Sequence, residues 1–595
     1  MRFDSTVFRW RRVGFAGLAI LGLSISPARA FADCKIAELA ELPVTMSGLK
    51  PLISAKINGQ DARFIADSGA FYSMMTEASA AEFNLKLRPA PFGLYIKGVG
   101  GNVDPSLVTV KVFTLDGIPV HNVEFLVGGS TVGALENVGV LGQNFFRIGD
   151  VEYDLGNGII RMMRAEGCSH ALLAYWVKPS EHYSIMDIEW ATPKSPHTSG
   201  TVMINGAKVR VIFDTGADTS VLSLKAAERA GVKPDSEGVV EAGYSSGIGR
   251  SRVKTYIGRF SSFKIGEEEI RNTRLRFGDI NLGYTDMLLG ADFFLSHRIY
   301  VASSQHKLYF TYNGGPVFNL TTSSGKPADL EKGDDPADAA EYSRRGAAFA
   351  GRRDFEHAVA DLTRACELDP TDPEYFYQRG IVYRDEKQTD LAAADFDRAL
   401  ELKADHLAAL EARARLRLGR RDTVGARADL DSADRAAPKE ADVRLFLAHA
   451  YRGADLLPAS IAQYDLWISA HAADSRMAEA LDGRCWARAL QGQDLAKALS
   501  DCDSALKRSV KASPLSASVL NGRALVRLRL GDYDKSIADY EAALQIQPKD
   551  AWSFYGRGID KLRKGKTPEG EADIAQAVKL WPKIADDFTR RGITP

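Results

Sequence analysis

The alternation of apolar and polar positions divides the chain into two kinds of segment. From about Leu42 to Met163, and again from about Tyr183 to Tyr312, short runs of β-branched and aromatic residues alternate with Gly, Asn and Asp turn signals. Leu107 to Phe113, Val120 to Val127, Thr201 to Phe213 and Lys307 to Thr311 are examples. Short runs broken at such intervals predict all-β structure, so two β units are expected at 42–165 and 183–315, joined by a short connector near Cys168 to Ser180. Residues 316–337, rich in Ser, Gly, Pro and charge, predict a linker. From 338 to 595 the chain turns to Ala, Leu, Arg and Asp with helical periodicity, which predicts an all-α segment.

The helical segment repeats itself. Asp361, Asp395 and Asp429 recur every 34 residues, as do Gly346 and Gly380. Each Gly is followed by an aromatic residue (Phe349, Tyr383), a small one (Ala358, Ala392), a large one (Leu362, Phe396) and a further Ala (Ala365, Ala399). This pattern resembles the tetratricopeptide repeat, with about seven copies starting near 338, 372, 406, 440, 476, 515 and 549. Lys583 to Gly592 is expected to form a helix that caps the apolar end of the solenoid. The resemblance implies a concave protein-binding face, on or near which Arg344, Arg384, Arg415, Arg529 and Arg563 are placed by repeat position.

The β units are also copies of each other. Asp67-Ser68-Gly69-Ala70 returns as Asp214-Thr215-Gly216-Ala217, offset by 147 residues. The flanks return with it: Ile57-Asn58-Gly59 as Ile204-Asn205-Gly206, and Arg63 as Arg210. Val140-Leu141-Gly142 with Phe145-Phe146 returns as Leu288-Leu289-Gly290 with Phe293-Phe294, offset by 148. A lone Asp-Ser/Thr-Gly triplet is weak evidence, so the matched flanks carry the inference of a tandem duplication.

Two carboxylates a few ångströms apart cannot both ionise cheaply, so a pair shares one proton and supplies a base and an acid together. That is what peptide hydrolysis by an activated water requires, with no metal or cofactor. Asp67 and Asp214 are the candidate catalytic residues. Ser68 and Thr215 offer hydroxyls to fix the opposite loop, and Gly69 and Gly216 let backbone pass close to the carboxyls. The stretch Phe213 to Leu222 followed by Leu288-Leu289-Gly290 resembles the retropepsin family of aspartic peptidases; the first unit resembles it less, with Phe71 where the second has Asp218. The resemblance implies that a single unit must pair to build a site, here with the other unit of the chain in a two-lobed, pepsin-like arrangement. It also implies hairpin flaps over the substrate, for which Gly98 and Gly100 in the first unit and Tyr244 and Gly247 in the second are candidates, with Tyr95 as a further contact.

Other features bound the function. Arginines at 2, 9, 11 and 12, an apolar run from Val13 to Ile25 and Ala28-Arg29-Ala30 read as a secretory signal over 1–30, which predicts a periplasmic or secreted protein with no membrane span after its removal. About a dozen residues then precede the first β unit, so activity without removal of a pro-segment is expected. With 76 basic and 77 acidic residues, no net charge draws the chain to nucleic acid. The histidines, His297 and His306 among them, show no metal-ligand spacing. Export permits disulfides among Cys34, Cys168, Cys366, Cys485 and Cys502. Cys34 and Cys168 bracket the first β unit and Cys485 and Cys502 fall on the two helices of one repeat, but buried free thiols account for each equally well.

Two functions are consistent with these residues. One is an exported aspartic-type endopeptidase whose repeats recruit protein substrates or partners. The other is a non-catalytic peptide-binding scaffold in which the repeats carry the function.

Overall fold

The computed structural model describes residues 34–91, 93–98, 101–128, 137–178, 181–190, 197–245, 253–315, 317–318, 336–472, 474 and 476–595. The signal at 1–30, most of the linker, Gly100 and Gly247 lie outside the described residues.

Each β unit contains a hairpin whose second strand leads into its aspartate. In the first unit Lys50–Ile57 pairs antiparallel with Gln60–Ala66, and in the second Ser199–Ile204 pairs with Ala207–Phe213. The repeated Ile-Asn-Gly phrase is the turn of that hairpin. Asn58 and Gly59 have φ of 51° and 88°, and Asn205 and Gly206 have 48° and 79°. Positive φ at both central residues matches the right-handed twist of the flanking strands, and Asn-Gly tolerates it best. The run Thr201 to Phe213 is therefore two strands folded back on each other. A short strand carrying the Leu-Gly phrase then lies parallel beside each aspartate strand: Gly139–Leu141 beside Gln60–Ala66, and Met287–Leu289 beside Ala207–Phe213.

The two units are joined by a shared sheet. Asp150–Asp154 of the first pairs antiparallel with His297–Ala302 of the second, in the register Val151 to Val301, Glu152 to Tyr300 and Tyr153 to Ile299. Around this seam the strand order is Ser184–Asp187, Lys307–Tyr312, His297–Ala302, Asp150–Asp154, Ile159–Glu166 and Lys35–Ser47, three strands from each side. The first strand of this sheet spans Lys35–Ser47. Glu152 is fully buried in this sheet and accepts hydrogen bonds from Arg161 at 2.7 Å and from Arg298 at 2.8 Å, one arginine from each unit. A buried carboxylate needs such partners, so the pair of arginines also fixes the seam. Cys34 and Cys168 are disulfide-bonded with Cα atoms 4.5 Å apart, next to the Lys35–Glu166 register pair at the edge of the same sheet.

Beyond the linker, the described helices form seven antiparallel pairs, from Ala339–Gly351 with Phe355–Leu368 to Ala551–Arg563 with Thr567–Leu580, followed by a short helix Ile584–Arg590. The recurring aspartate sits on the second helix of its pair, where an arginine of the first helix grips it with two hydrogen bonds. Arg345 holds Asp361, Arg379 holds Asp395 and Arg413 holds Asp429, and later pairs repeat the contact at Arg484–Asp501, Arg523–Asp539 and Arg557–Asp573. Fork-to-carboxylate geometry ties each hairpin together with orientation as well as charge. The fourth pair has Leu447 and Gln463 instead. Cys485 and Cys502 bridge the two helices of the fifth pair, while Cys366 is a buried free thiol.

The solenoid is packed onto the β units. Ala347 and Ala348 of its first helix belong to the same buried core as the β strands, and the buried Arg352 donates to the Leu295 carbonyl at 3.2 Å.

Candidate active site

The parallel strand pairs place the two aspartates at equivalent positions. Asp67 N donates to Leu141 O and Asp214 N to Leu289 O, each at 2.9 Å, so each Leu-Gly strand anchors the start of its loop. Beyond that point each loop turns back on its own carboxyl. Asp67 Oδ1 accepts from the N–H of Gly69 at 2.9 Å and of Ala70 at 2.8 Å; Asp214 Oδ1 accepts from Gly216 at 3.0 Å and Ala217 at 3.2 Å.

The two loops then grip each other. The Ser68 hydroxyl donates to Phe213 O at 2.8 Å and accepts from Thr215 N at 2.9 Å. The Thr215 hydroxyl donates to Ala66 O at 2.6 Å and accepts from Ser68 N at 3.0 Å. All four bonds are buried, so breaking one leaves an unpaired group away from water. Between the loops the Asp67 and Asp214 side chains hydrogen-bond to each other. Each carboxyl lies against the glycine of the opposite loop: a Cβ at Gly69 would overlap the Asp214 carboxyl, and one at Gly216 would overlap that of Asp67. Glycine is required there for close approach.

Burial pushes both carboxyls above the usual carboxylate range, and hydrogen bonds to the ionised form partly offset this at Asp67. Asp214 is raised well above it, by burial first and by the neighbouring Asp67 charge second. The pair therefore retains a shared proton that two isolated aspartates would lose, and the proton belongs to the pair.

A second set of residues escaped the sequence reading. Ser73 N and Oγ donate to Asn144 Oδ1 at 2.7 and 2.9 Å, and Gly142 N donates to Ser73 Oγ at 3.0 Å. The other unit repeats the device: Ser220 N and Oγ donate to Asp292 Oδ1 at 2.9 and 2.6 Å, and Gly290 N donates to Ser220 Oγ at 2.9 Å. These latches close each active-site loop onto its Leu-Gly phrase. Their signal was present, since Ser73 and Ser220 recur at the same offset of 147 as the aspartates, and Asn144 and Asp292 recur at 148. Gln143 has no such counterpart; its side chain donates to Ser68 O at 2.7 Å, in the first unit alone.

The flap candidates occupy hairpins. Ile96–Gly98 pairs with Gly101–Val103 as a separate two-stranded ribbon, with Gly98 opposite Gly101. Tyr244 lies in Val240–Ser245, opposite Lys254 of the long strand Val253–Ile265, and is exposed. Tyr95, just before the first ribbon, is exposed as well.

The five arginines assigned to the solenoid's inner face separate into different roles. Arg415 lines a cavity on that face. Arg344 packs against Gly158 of the first unit, and Arg384 pairs with its neighbour Asp385. Arg529 and Arg563 donate to the carbonyls of Arg591 and Thr594, because the C-terminal residues fold back onto the repeats.

Family models match both parts of the chain. A family model described as aspartyl protease matches residues 53–145 and 200–293, and two tetratricopeptide-repeat models match 343–406 and 524–565. No curated protein matches the chain. Among solved structures, the chain is similar to a tetratricopeptide repeat protein from Parabacteroides merdae, with 16% identity over 43% of this chain and 99% of that one and a TM-score of 0.33. It is also similar to yeast Tom70, with 17% identity over 43% of this chain and 53% of that one and a TM-score of 0.26. The chain thus carries two tandem domains of the aspartyl protease family followed by tetratricopeptide repeats.

Proposed function

We propose that the protein is an exported aspartic-type endopeptidase in which Asp67 and Asp214 of one chain form a single catalytic pair and the repeats bind protein substrates or partners. The observation that carries this reading is the reciprocal grip of Ser68 and Thr215, which holds two carboxyls in hydrogen-bonding contact between two half-sites. In the resting pair one proton is shared, so one carboxyl is protonated and the other ionised. The ionised carboxylate takes a proton from water as its oxygen attacks the peptide carbonyl carbon. The protonated carboxyl gives its proton to the carbonyl oxygen. Collapse of the tetrahedral species breaks the C–N bond as the carboxyl that took the water proton passes it to the leaving nitrogen, and a hydroxyl proton of the tetrahedral species returns to the other carboxylate, which restores the pair.

The hairpins bearing Gly98 and Tyr244 are assigned as flaps over this pair. Export rests on the N-terminal signal pattern; among the described residues no helix is long and apolar enough to cross a membrane. Digestion of casein by the mature protein, alongside Asp67→Asn and Asp214→Asn, tests the reading. Cleavage by the wild type and by neither variant is expected. An empty digest from all three removes the peptidase assignment, and loss in Asp214→Asn alone places the site between two chains.

A further inference from the structure

The inner face of the solenoid is not open along its whole length. At its C-terminal end, Phe588 of the last helix is buried against Trp552 and Tyr555, with ring centroids 4.5 and 4.7 Å away. Trp552 in turn meets Trp486 at 5.5 Å, and Arg591 reaches back to Asp455 at 2.9 Å. The chain's own residues fill that half. The other half, lined by the helices Pro373–Asp385, Leu407–Gly419, Val443–Gly453 and Met477–Gln491, faces the β units across a cavity of about 630 Å³.

The opposite wall of this cavity comes from the β units. It includes the turn Ser47 to Lys50 and Asp218. Asp218 is exposed and follows Asp214 by four residues in the same loop. Lys50 lies two residues before Leu52, whose register partner Ile65 lies two residues before Asp67 in the antiparallel strand. The two wall residues thus come one from each unit, Lys50 from the strand paired with the one that leads into Asp67 and Asp218 from the Asp214 loop. The buried Lys50 amine is held below its usual range by desolvation and is opposed by the Asp218 charge, so the two interact across the wall.

From these positions we infer that the cavity is a composite substrate site, holding the stretch of an extended, unfolded polypeptide that flanks the scissile bond. This rests on the peptidase reading above and adds to it the class of substrate. The size argues for an extended chain: about 630 Å³ lies within the range of ligand clefts of roughly 300–1,000 Å³ and is too small for a folded domain. The solenoid and the β units are joined by the Arg352 hydrogen bond and by the pairing of Arg63 with Glu374 at 3.6 Å. The lining suits polypeptide of mixed sequence. Lys50, Arg415 and Arg476 stand beside Asp218 and Asp442, with Phe446 as an apolar surface on which the Arg415 guanidinium stacks at 4.1 Å.

The test compares two substrates of the full chain: unfolded, carboxymethylated α-lactalbumin and a fluorogenic octapeptide. In Arg415→Glu and in Phe446→Ala, the ratio of kcat/KM for the polypeptide to that for the octapeptide falls about ten-fold, through KM, as expected for the loss of one substantial contact. An unchanged ratio in both variants overturns the inference. If the wild type cleaves neither substrate, the peptidase reading fails and the site is judged by binding instead. Fluorescence anisotropy of the labelled polypeptide with the Asp67→Asn/Asp214→Asn chain then decides: about ten-fold weaker binding on adding Arg415→Glu supports the site, and equal binding overturns it.

Discussion

Ser68 and Thr215, 147 residues apart, exchange backbone-to-hydroxyl hydrogen bonds at 2.9 and 3.0 Å, and each hydroxyl also donates into the opposite strand. The position of each carboxyl is thereby set by the other unit. Thr215→Val keeps the volume and removes both hydroxyl bonds, leaving Ala66 O and Ser68 N buried without those partners. A stability loss of about 1–3 kcal/mol is expected, with kcat lowered about 100-fold by misplacement of the pair. Thermal melts and steady-state kinetics read the two effects separately, and an undiminished kcat would show that the grip does not position the carboxyls.

The glycine contacts give a sharper contrast. Gly216→Ala drives a methyl group into the Asp67 carboxyl, so cleavage should be abolished. Gly206→Ala meets no atom within 4 Å but carries φ of 79° at the hairpin turn. That variant should lose about 1 kcal/mol of stability through backbone strain and still cleave at low temperature. Equal activity in both variants contradicts the close approach.

Buried carboxyls set the direction of the pH dependence. Burial pushes Asp292 up to about 6 and both Asp482 and Asp560 up to about 7. A raised folded-state pKa means that the folded chain binds more protons than the unfolded one between the two values, so stability falls as pH rises through this window. Denaturant midpoints should therefore be higher near pH 4 than near pH 7.5. Asn144 occupies the equivalent latch in the first unit, so Asp292→Asn should keep the Ser220 bonds and flatten the dependence between pH 4 and 6. A midpoint that rises steadily from pH 4 to 7.5 in the wild type contradicts this assignment.

The disulfide between Cys34 and Cys168 closes a separation of 134 residues, for which loop-closure entropy alone corresponds to about 5 kcal/mol. The Cys485–Cys502 bridge, at a separation of 17, corresponds to about 3 kcal/mol. Cys34→Ser/Cys168→Ser should lower the melting temperature of the β units more than Cys485→Ser/Cys502→Ser lowers that of the repeats. Peptide mapping without reduction checks the pairing, and should leave Cys366 as the one free thiol.

Much of this architecture was legible because it is written twice or in short periods. Ile-Asn-Gly marks a turn whose positive φ values follow from local sterics, and the 34-residue aspartate spacing marks a buried position on each repeat's second helix. The arginine that grips each aspartate comes from the preceding helix, and the sequence reading passed over it because exposed and buried arginines look alike in a pattern. The Ser73–Asn144 and Ser220–Asp292 latches were missed for a similar reason: their members lie about seventy residues apart and only the fold brings them together.

By itself the sequence determined the duplication, the two aspartate loops with their glycines and hydroxyls, and the change from β units to helical repeats. Those properties follow from turn chemistry, period and motif spacing, which act over short stretches of chain. Tertiary structure decided what depends on burial and on distant partners. It set the seam at Glu152, the hydrogen bond between Asp67 and Asp214, the choice of cysteine partners and the docking of the first repeat helix. It also turned half of the solenoid's inner face inward on its own C-terminus and the other half toward Lys50 and Asp218. Packing of apolar faces and the need to satisfy buried charges select among many arrangements that share one local pattern, and those energies arise only once the chain has closed on itself.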